Sequence, residues 1–411
     1  MRGADPVRIT VHDFSGHPFQ AELSRKLADK GHAVDHVSAE QYVSGKGHLE
    51  VQPGDSPTLT FTAIALDLPF QKYAPLARLR FERSYAREWI KRLKAAPPEV
   101  VVACNLPLLS MFLFARYARR AKLPYVFWHQ DIYSAGLTDE LRRRLPRPLA
   151  WLGSRLFVRM EAYCAKHADH VVAIGDAFKE VYPGWKVAPA NVSVIPNWAP
   201  LDKVFPVDRH NPISEQLFDD ESSLRLVYAG TLGRKHNPHL LVDLLRNAQD
   251  NDIPVSMVVI SEGQGADDLA EIARTEDVPL TVLPFQPADD LPYALGSADV
   301  LVALLEPDAT KFSIPSKVLS YMAAGRPILG LMPEDNPAAL DIVASGGYVV
   351  DPTELGAKSA AVWLADLAIE RALIGQIGGS TRAIAELKFD VEQVSDEFSM
   401  ILVRAIELQR T

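Results

Sequence analysis

The sequence predicts an α/β protein made of two Rossmann-like domains. Three observations support this prediction: short apolar runs of strand length alternate with amphipathic helical segments, the alternation occurs in two separate series, and a polar stretch divides them. Strands separated by helices indicate parallel βαβ units with helices on both faces of a sheet. At 411 residues the chain is also too long for one ordinary core, so we expect two domains of similar size.

The first series opens with VRITVHDF, which has the pattern of a short buried strand. The segment HPFQAELSRKLADKGHAVDHVSA then supplies an amphipathic helix, a stop at Lys30 and Gly31, and a second strand. Further strand-like runs, with helical segments such as LLSMFLFARYARRAKL between them, are EVVVACN, PYVFWHQD, DHVVAIG and VSVIPN. We assign residues 1–195 to the first domain.

The second series repeats this scheme. Its strand-like runs are LRLVYAGTLG, VSMVVISEG, LTVLPF, ADVLVALLE and GRPILGL. Residues 196–223, rich in Pro, Asp and Ser, are predicted to be the interdomain linker, and residues 224–387 the second domain. Residues 388–411 are expected to form a last helix that packs back on the first domain. Two such domains facing each other would form a cleft at the carboxyl ends of their strands, where ligands bind.

Composition limits the classes of function. Two cysteines, Cys104 and Cys164, form neither a disulfide framework nor a zinc-ligand spacing, which favours a reducing cytoplasm. The N-terminal stretch lacks the apolar run of a signal peptide, and no stretch approaches the roughly 18 apolar residues that span a bilayer. We therefore expect a soluble cytoplasmic enzyme, and we find no carboxylate cluster with metal-ligand spacing.

Charge is unevenly distributed along the chain. The formal net charge is −9, yet residues 72–166 hold 19 Lys or Arg against 7 Asp or Glu. A solvated face explains any single charged run, but an asymmetry of this size indicates a surface that faces something anionic. A nucleic acid is not the expected partner, because the run RRRLPRPLAW lacks interleaved base-stacking aromatics and the whole protein is acidic.

The stretch KFSIPSKVLSYMAAGRPILG, residues 311–330, joins a short helix to an apolar strand. A Pro and a Ser precede the helix, with Ser316 as the candidate N-cap. The first-turn amides of such a helix carry partial positive charge and suit a phosphate. Lys317, in that turn, is poorly placed for the helix dipole unless a diphosphate lies there; the alternative is a surface lysine at an ordinary helix start.

Taken in order, these segments resemble the family 4 glycosyltransferases, a group with the two-domain GT-B fold. DFSGHPFQAELSRKLADKGHAV resembles the family's N-terminal loop and helix, and YMAAGRPIL its donor-site segment. The resemblance continues through HADHVVAIGDAFKEVY, VSVIPNWAPLDKVF, LVYAGTLGRKHNPHLLVDLL and PFQPADDLPYALGSADVLVALLEPD. It covers nearly the whole chain and is strongest for the branch that acts in bacterial surface-polysaccharide assembly, of lipopolysaccharide or exopolysaccharide.

The resemblance implies a hexosyl- or N-acetylhexosaminyl-type transfer from a nucleotide-diphosphate sugar, expected to be a UDP-sugar, to a glycan or lipid-linked acceptor. It implies retention of the anomeric configuration, with neither a metal nor a cofactor, since the nucleotide-sugar is a substrate. The residues that the resemblance assigns to donor binding are Gly16, Thr231, Arg234, Lys235, Glu262, Phe285, Glu306, Ser316, Lys317 and Ser320.

The family's pair of glutamates is missing. The two positions, separated by seven residues, hold Phe312 and Ser320, so Glu306 or Asp308 would have to take over part of the carboxylate's work. A serine hydroxyl can bond a ribose hydroxyl but supplies no charge. The loss keeps a non-catalytic GT-B scaffold open as an alternative, and a UDP-sugar 2-epimerase, which shares the fold and cleaves the same bond, is another.

The family's Arg and Lys after the first donor-domain strand are also displaced. Their positions fall at Thr231 and His236 in this sequence. Arg234 and Lys235 are shifted neighbours that can still reach a diphosphate. This departure leaves open which residue binds the diphosphate, and it affects the fold assignment less.

A polar pair follows the strand PYVFWH. His129 and Asp131 come directly after this apolar run, at the end of a strand where a ligand would lie. The resemblance implies that His129 contacts the donor sugar near its reacting face, with Asp131 ordering the acceptor or the imidazole. His12 and Asp13 repeat the pairing after the first strand and are weaker candidates. The alternative is that His129 is a strand-end residue whose hydrogen bonds are already satisfied.

The basic region combines arginines with large apolar residues. A second basic run, RLRFERSYAREWIKRLK, adds Phe81, Tyr85 and Trp89. Helices that mix Arg with Trp, Phe and Leu suit the interface of an anionic bilayer, so we predict a peripheral membrane face for a lipid-carried acceptor on the inner side of the membrane. The alternative is that the apolar residues pack inward and the arginines face water. The residues assigned to this face are Arg142, Arg143, Arg144, Arg147 and Trp151.

Overall fold

The described part of the protein falls into two units. The computed structural model describes residues 6–41, 47–70, 74–232, 237–306, 312 and 315–410. One unit comprises Met1–Asn197 together with Val391–Thr411, and the other comprises Trp198–Asp390. Each unit is built around its own parallel sheet, so the α/β prediction is confirmed.

The described residues of the first unit form a seven-stranded sheet in the order β3-β2-β1-β4-β5-β6-β7, with every neighbouring pair parallel. The strands are β1 (Arg8–Asp13), β2 (Ala33–Ala39), β3 (Leu59–Ile64), β4 (Val100–Cys104), β5 (Tyr125–His129), β6 (His170–Ala173) and β7 (Val192–Val194). Strands β4, β5 and β6 are buried along their whole length, as expected of a parallel sheet covered on both faces.

Helices cover this sheet. They are α1 (Pro18–Asp29), α2 (Pro75–Ala95), α3 (Leu108–Ala121), α4 (Tyr133–Arg144), α5 (Arg147–Lys166) and the short α6 (Tyr182–Trp185). Proline begins α1 and α2 and follows the first residue of α5, positions where its missing N–H costs no hydrogen bond. Because the strands are parallel, the loops that follow β1, β4, β5 and β6 all leave from the same edge of the sheet.

The described residues of the second unit form a six-stranded parallel sheet in the order β10-β9-β8-β11-β12-β13. The strands are β8 (Leu224–Ala229), β9 (Val255–Ile260), β10 (Leu280–Leu283), β11 (Val300–Leu304), β12 (Ile328–Leu331) and β13 (Tyr348–Val350). The helices are α7 (Ser214–Leu217), α8 (His239–Gln249), α9 (Gln264–Glu276), α10 (Leu291–Gly296), α11 (Ser316–Ala324), α12 (Pro337–Ala344), α13 (Glu354–Ile369) and α14 (Ala372–Lys388).

Residues 198–223, expected from composition to link two domains, pack into the second unit. Trp198 and Val204 are buried, and the Asn211 amide donates to the carbonyl of Tyr293 at 3.1 Å. Arg209 pairs with the buried Asp299 at 3.0 Å. Polar composition misled the prediction here because side chains, rather than apolar periodicity, hold this segment in place.

The last helix, α15 (Val391–Arg410), belongs to the first unit. Phe398 packs edge-on against Trp128 of β5, with ring centroids 4.8 Å apart. Glu392 pairs with Lys26 of α1, and Asp396 pairs at 2.8 Å with Lys30, directly after that helix. Within the described ranges, no helix is both long and apolar enough to span a bilayer.

Candidate functional site

Four of the predicted donor-binding residues lie at one edge of the second sheet. Thr231, Glu262, Phe285 and Glu306 come within two residues of the ends of β8, β9, β10 and β11 respectively. Because these strands are parallel, their carboxyl ends meet at the same edge, which is where open α/β sheets bind ligands. Helix α11 begins after β11, so Ser316 and Lys317 return to this edge as well.

Lys317 lies against an aromatic ring at the end of β8. Its Nζ is 3.8 Å from the ring centroid of Tyr228 and also donates to the Tyr228 hydroxyl. That hydroxyl in turn donates to the Thr231 carbonyl at 3.0 Å. Among the described residues no carboxylate pairs with this ammonium. The arrangement fixes the position of a cation without neutralising it.

The backbone of β8 is shaped to leave room for Lys317. Gly230 has a φ of +141°, and a Cβ there would stand only 3.0 Å from the Lys317 Nζ. Tyr321, one turn further along α11, accepts from the Ala229 N–H at 2.8 Å and donates to the Ala229 carbonyl at 3.1 Å. These contacts hold α11 and the end of β8 together, so the lysine is placed by rigid elements.

Burial changes the acidity of this lysine. Desolvation lowers the pKa of Lys317 to about 7, because the charged form loses water and gains no carboxylate in exchange. Burial also raises the pKa values of Tyr228 and Tyr321, so both phenols stay protonated and uncharged near neutral pH. An arriving diphosphate would restore the opposite charge that the lysine lacks.

The structure corrects the start of α11. Pro315, in extended conformation, is the N-cap, and Ser316 is the first helical residue rather than the cap. The Ser316 side chain is exposed, and no side chain of the described residues caps the helix. The amides of this first turn therefore keep the partial positive charge that suits an anion. Ser320, one turn further on, is half-buried.

The structure describes only some of the other residues that were predicted to bind the donor. Glu262 accepts from the Phe285 N–H at 3.1 Å, which joins the β9 and β10 loops, and the Phe285 ring is 45% exposed. Glu306 is half-buried. Arg234 and Lys235 lie outside the described residues, together with His236 and Asp308. Within the described ranges, no group of three or more His, Cys, Asp or Glu side chains is arranged to hold a metal ion.

In the first unit, His129 ends β5 as a buried residue. Its side chain is 0% exposed, with Nδ1 3.1 Å from the Tyr182 hydroxyl and Nε2 3.3 Å from Glu161 Oε1. The ring also stacks on Phe127, with centroids 4.7 Å apart. Both ring nitrogens have protein partners, so the geometry favours the alternative of a satisfied strand-end histidine over direct contact with a sugar.

Glu161 of α5 is the residue that organises this corner. Besides contacting His129, its two oxygens accept from the N–H groups of Tyr133 at 2.8 Å and Ser134 at 2.9 Å. The carboxylate thus holds the first turn of α4 against α5 and β5, near the positive end of the α4 dipole. Asp131 lies in the short segment between His129 and α4, and its side chain is exposed.

The turn after β1 is closed in a similar way. The buried Asp13 accepts from Asn105 Nδ2 at 2.9 Å, from the Ser15 N–H at 3.2 Å, and from the His17 N–H. Burial raises the pKa of Asp13, and its bonds to Asn105 and His17 oppose that shift. Gly16 within this turn has a φ of +73°, a conformation that favours glycine. The structure therefore gives Gly16 a place in the first unit, where it shapes the start of α1.

His12 is a core residue. It is 0% exposed, its Nε2 lies 2.9 Å from the Tyr85 hydroxyl, and its ring is 4.0 Å from that of Trp89. Burial, followed by the nearby His36, lowers the pKa of His12 to about 3, so the ring is neutral. These contacts assign His12 to packing.

The two basic runs differ once they are folded. On α2 the aromatics Phe81, Tyr85 and Trp89 are buried, which corrects the expectation that they face a membrane. On α5, Trp151 is 59% exposed. Arg142, Arg143, Arg144 and Arg147 lie around the α4–α5 turn; Arg142 contacts Asp139 at 3.7 Å and Arg144 pairs with Glu140.

Sequence reasoning missed Tyr228, Gly230, Tyr321 and Glu161. The first two lie in the run LRLVYAGTLG, where a tyrosine inside an apolar strand has the pattern of a core residue. The glycine directly after the strand was the one available signal, since glycine at a strand end marks a close approach. Glu161 gave none, because α5 resembles any amphipathic helix.

Two family models match this chain. The model described as "Glycosyl transferase 4-like domain" matches residues 17–198, and that described as "Glycosyl transferases group 1" matches residues 223–364. A curated relative, the probable glycosyltransferase WbjE of Pseudomonas aeruginosa, is 23% identical over 242 residues. This alignment spans 58% of this chain and 58% of the relative, less than two thirds of either.

Solved structures share the fold over nearly the full chain. Anabaena Alr3699/HepE in complex with UDP-glucose gives a TM-score of 0.67 at 15% identity, covering 97% of this chain and 99% of that one. WaaG, a glycosyltransferase involved in lipopolysaccharide biosynthesis, gives 0.65 at 14% identity, covering 96% and 99%. Because the two family models together span most of the sequence and the fold agrees, the chain belongs to the family 4 glycosyltransferases of the GT-B fold.

Proposed function

We propose that this protein is a retaining glycosyltransferase that moves a sugar from a UDP-sugar to a glycan or lipid-linked acceptor during assembly of a bacterial surface polysaccharide. The observation that carries the proposal is Lys317, held over the Tyr228 ring at the carboxyl edge of the second sheet without a carboxylate partner among the described residues. A buried cation without a counter-ion gains most from an anionic ligand.

The chemistry follows from that position. When the bond between the sugar and the diphosphate breaks, negative charge grows on the phosphate oxygens. The Lys317 ammonium and the uncapped first-turn amides of α11 are fixed charges and dipoles at the same edge, and such groups stabilise developing charge in a water-poor site. The departing diphosphate accepts the proton of the acceptor hydroxyl as the new glycosidic bond forms, on the face that the old bond occupied.

The identities of donor and acceptor are proposed by analogy. The Anabaena structure with UDP-glucose supports a UDP-sugar, and the role of WaaG in lipopolysaccharide biosynthesis supports a surface-polysaccharide acceptor. Fold likeness alone fixes neither, since one fold serves many substrates. We also propose that Asp131 orders the acceptor, because its exposed carboxylate follows the buried corner held by His129 and Glu161.

A nucleotide screen tests the proposal. Calorimetry with UDP-glucose, UDP-N-acetylglucosamine, GDP-mannose and ADP-glucose is expected to show binding of at least one UDP-sugar. Release of UDP is then followed with and without a lipid-linked acceptor fraction; transfer requires UDP to accumulate only when acceptor is present. UDP formed equally without acceptor would indicate an epimerase-type cleavage, and absence of nucleotide binding would overturn the proposal.

A further inference from the structure

The α4–α5 turn and the first half of α5 expose an unusual set of large apolar side chains. Elsewhere in the described residues large exposed apolar side chains are more widely spaced along the chain, the longest row being Leu355, Val362 and Ile369 on α13. Here they cluster within fourteen residues, and large exposed apolar patches mark sites of association. Their exposed fractions are 41% for Leu145, 56% for Leu149, 59% for Trp151, 62% for Leu152, 56% for Leu156 and 38% for Val158.

Three of these residues form a stripe along one side of α5, and Leu145, Trp151 and Val158 line the neighbouring groove. Leu149, Leu152 and Leu156 are spaced i, i+3, i+7, which places them on one side of a helix. The opposite side of α5 already supplies the contacts to the rest of the unit, since Ala150, Glu161 and Ala165 are buried there. The exposed stripe is therefore not required for packing within the unit.

Arginines lie on the groove side of this stripe. A groove of about 710 Å³ runs between α4 and α5, and the guanidinium of Arg155 lies 4.6 Å from the Trp151 ring centroid. Within the part of the chain that the structure describes, Arg147, Arg155 and Arg159 form no ion pair. Cationic groups beside exposed Leu and Trp are the combination that suits the headgroup region of an anionic bilayer. The basic residues that line the groove are Arg142, Arg147, Arg155 and Arg159.

We propose that the α4–α5 hairpin docks on a bilayer of anionic phospholipid. Leu149, Leu152 and Leu156 enter the boundary between headgroups and acyl chains, and the groove arginines bind lipid phosphates. A second copy of this chain is the less suitable occupant, because a two-fold contact through this face would set arginines of one copy against those of the other. The surface lies in the first unit and does not depend on the donor site assigned to the second.

The first unit contains a natural control. A second groove of about 670 Å³ lies between α2 and α3, and Arg83, Arg87 and Arg116 are among its lining residues. It is lined by five basic residues against four in the first groove, but the aromatic residues Phe81, Tyr85 and Trp89 of α2 are buried. If charge alone attracted the protein to lipid, both grooves would contribute equally; docking through the hairpin predicts that only one does.

Vesicle sedimentation tests the proposal with the full chain. At 50 mM salt the protein is expected to bind vesicles of phosphatidylcholine with 40% phosphatidylglycerol, to ignore pure phosphatidylcholine, and to be released at 0.5 M salt. The triple variant Arg142→Ser, Arg147→Ser, Arg159→Ser should bind at least tenfold more weakly, and Leu149→Ser, Leu152→Ser, Leu156→Ser likewise. The charge-matched control Arg83→Ser, Arg87→Ser, Arg116→Ser should lose less than threefold. Inorganic phosphate at millimolar concentration should not displace the protein, which separates a lipid surface from a free-anion site.

Several results would overturn this proposal. Equal losses in the two arginine variants would indicate charge without a docking face, and unchanged binding by the leucine variant would exclude insertion. Light scattering that shows a dimer, converted to monomer by the leucine changes, would assign the face to self-association. Each variant keeps its UDP-sugar affinity and its melting temperature if the inference is correct, so failure here and failure of the proposed sugar transfer are distinguished by separate readouts.

Discussion

The end of β5 and the start of α11 present two different ways to place a polar side chain at a sheet edge. His129 is enclosed, with Tyr182 and Glu161 satisfying both of its ring nitrogens. Lys317 is equally well positioned, yet among the described residues it meets the ring and hydroxyl of Tyr228 and no carboxylate. Burial without an opposite charge raises the free energy of the charged form, and a ligand can recover that free energy. The contrast fits a structural role for His129, and it supports the proposal that Lys317 binds the donor.

The largest loss of stability is expected when the hydrogen-bond network around His129 and Glu161 is broken. Glu161→Ala removes a buried carboxylate and leaves the Tyr133 and Ser134 amides and the His129 ring without their acceptor. We expect the free energy of unfolding of the first unit to fall by about 3 kcal/mol or more. Urea unfolding, fitted with one transition for each unit, measures this loss.

Glu140→Ala is the matched control for that change, because Glu140 is on α4 and its ion pair with Arg144, the one it forms among the described residues, is exposed. Its cost should stay within about 0.5 kcal/mol. If the two variants unfold alike, the Glu161 network does not hold this corner, and His129 becomes a candidate for direct catalysis again.

An intermediate effect is expected at the second site. Lys317→Ala should weaken UDP-sugar binding by about 1.5–3 kcal/mol, which is typical of a hydrogen bond to a charged group, while the melting temperature is preserved. His129→Ala serves as the comparison, since His129 belongs to the other unit, and its UDP-sugar affinity should match the unaltered protein. Calorimetry that finds the same affinity in all three proteins would remove Lys317 from the donor site.

The smallest effect is a dependence of binding on pH. Free Lys317 has a pKa of about 7, lowered by burial, and a bound diphosphate raises that pKa, so donor binding above pH 7 requires uptake of a proton. The dissociation constant for UDP-glucose should therefore be nearly constant below about pH 6, about double by pH 7, and rise about fivefold more from pH 7 to pH 8. Tyr228 and Tyr321 contribute nothing, because burial raises their pKa values.

Lys317→Arg sharpens this test, since a guanidinium stays charged throughout the range. Its affinity profile should be flat between pH 6.5 and pH 8.5. Proton uptake can be read directly from calorimetry in buffers of different ionisation enthalpy. A sloped profile in the arginine variant would locate the titrating group elsewhere.

The fold could be predicted from sequence because its signals are local. The apolar run of β4 and the helical spacing of apolar residues in α1 predict parallel βαβ units. Both patterns can be recognised within a short stretch of sequence, and neither depends on which residues lie nearby in the folded protein. The contacts around the candidate sites depend on distant partners. Tyr228 meets a lysine 89 residues later, and His129 is enclosed by Glu161, which is 32 residues away. Neither contact can be predicted from a short segment of sequence.

The basic helices show the same limit. By composition α2 and α5 are alike, since both mix Arg with aromatic and aliphatic residues. Phe81, Tyr85 and Trp89 form a stripe that α2 buries, whereas Leu149 and Leu152 belong to a stripe that α5 exposes. The difference depends on which side of each helix the sheet and its neighbours occupy, and periodicity alone does not contain that information.

Helix α15 has a consequence for synthesis. It completes the first unit, where Phe398 covers Trp128 of β5, yet the ribosome produces the whole of Trp198–Asp390 before it. At about 5–20 residues per second, translation of that unit takes roughly 10–40 s. During this delay the nascent first unit leaves the flank of β5 and α1 uncovered, while the second unit emerges with all of its segments. The first unit is therefore synthesised first but completes its folding last, so it requires a chaperone for longer than the second unit does.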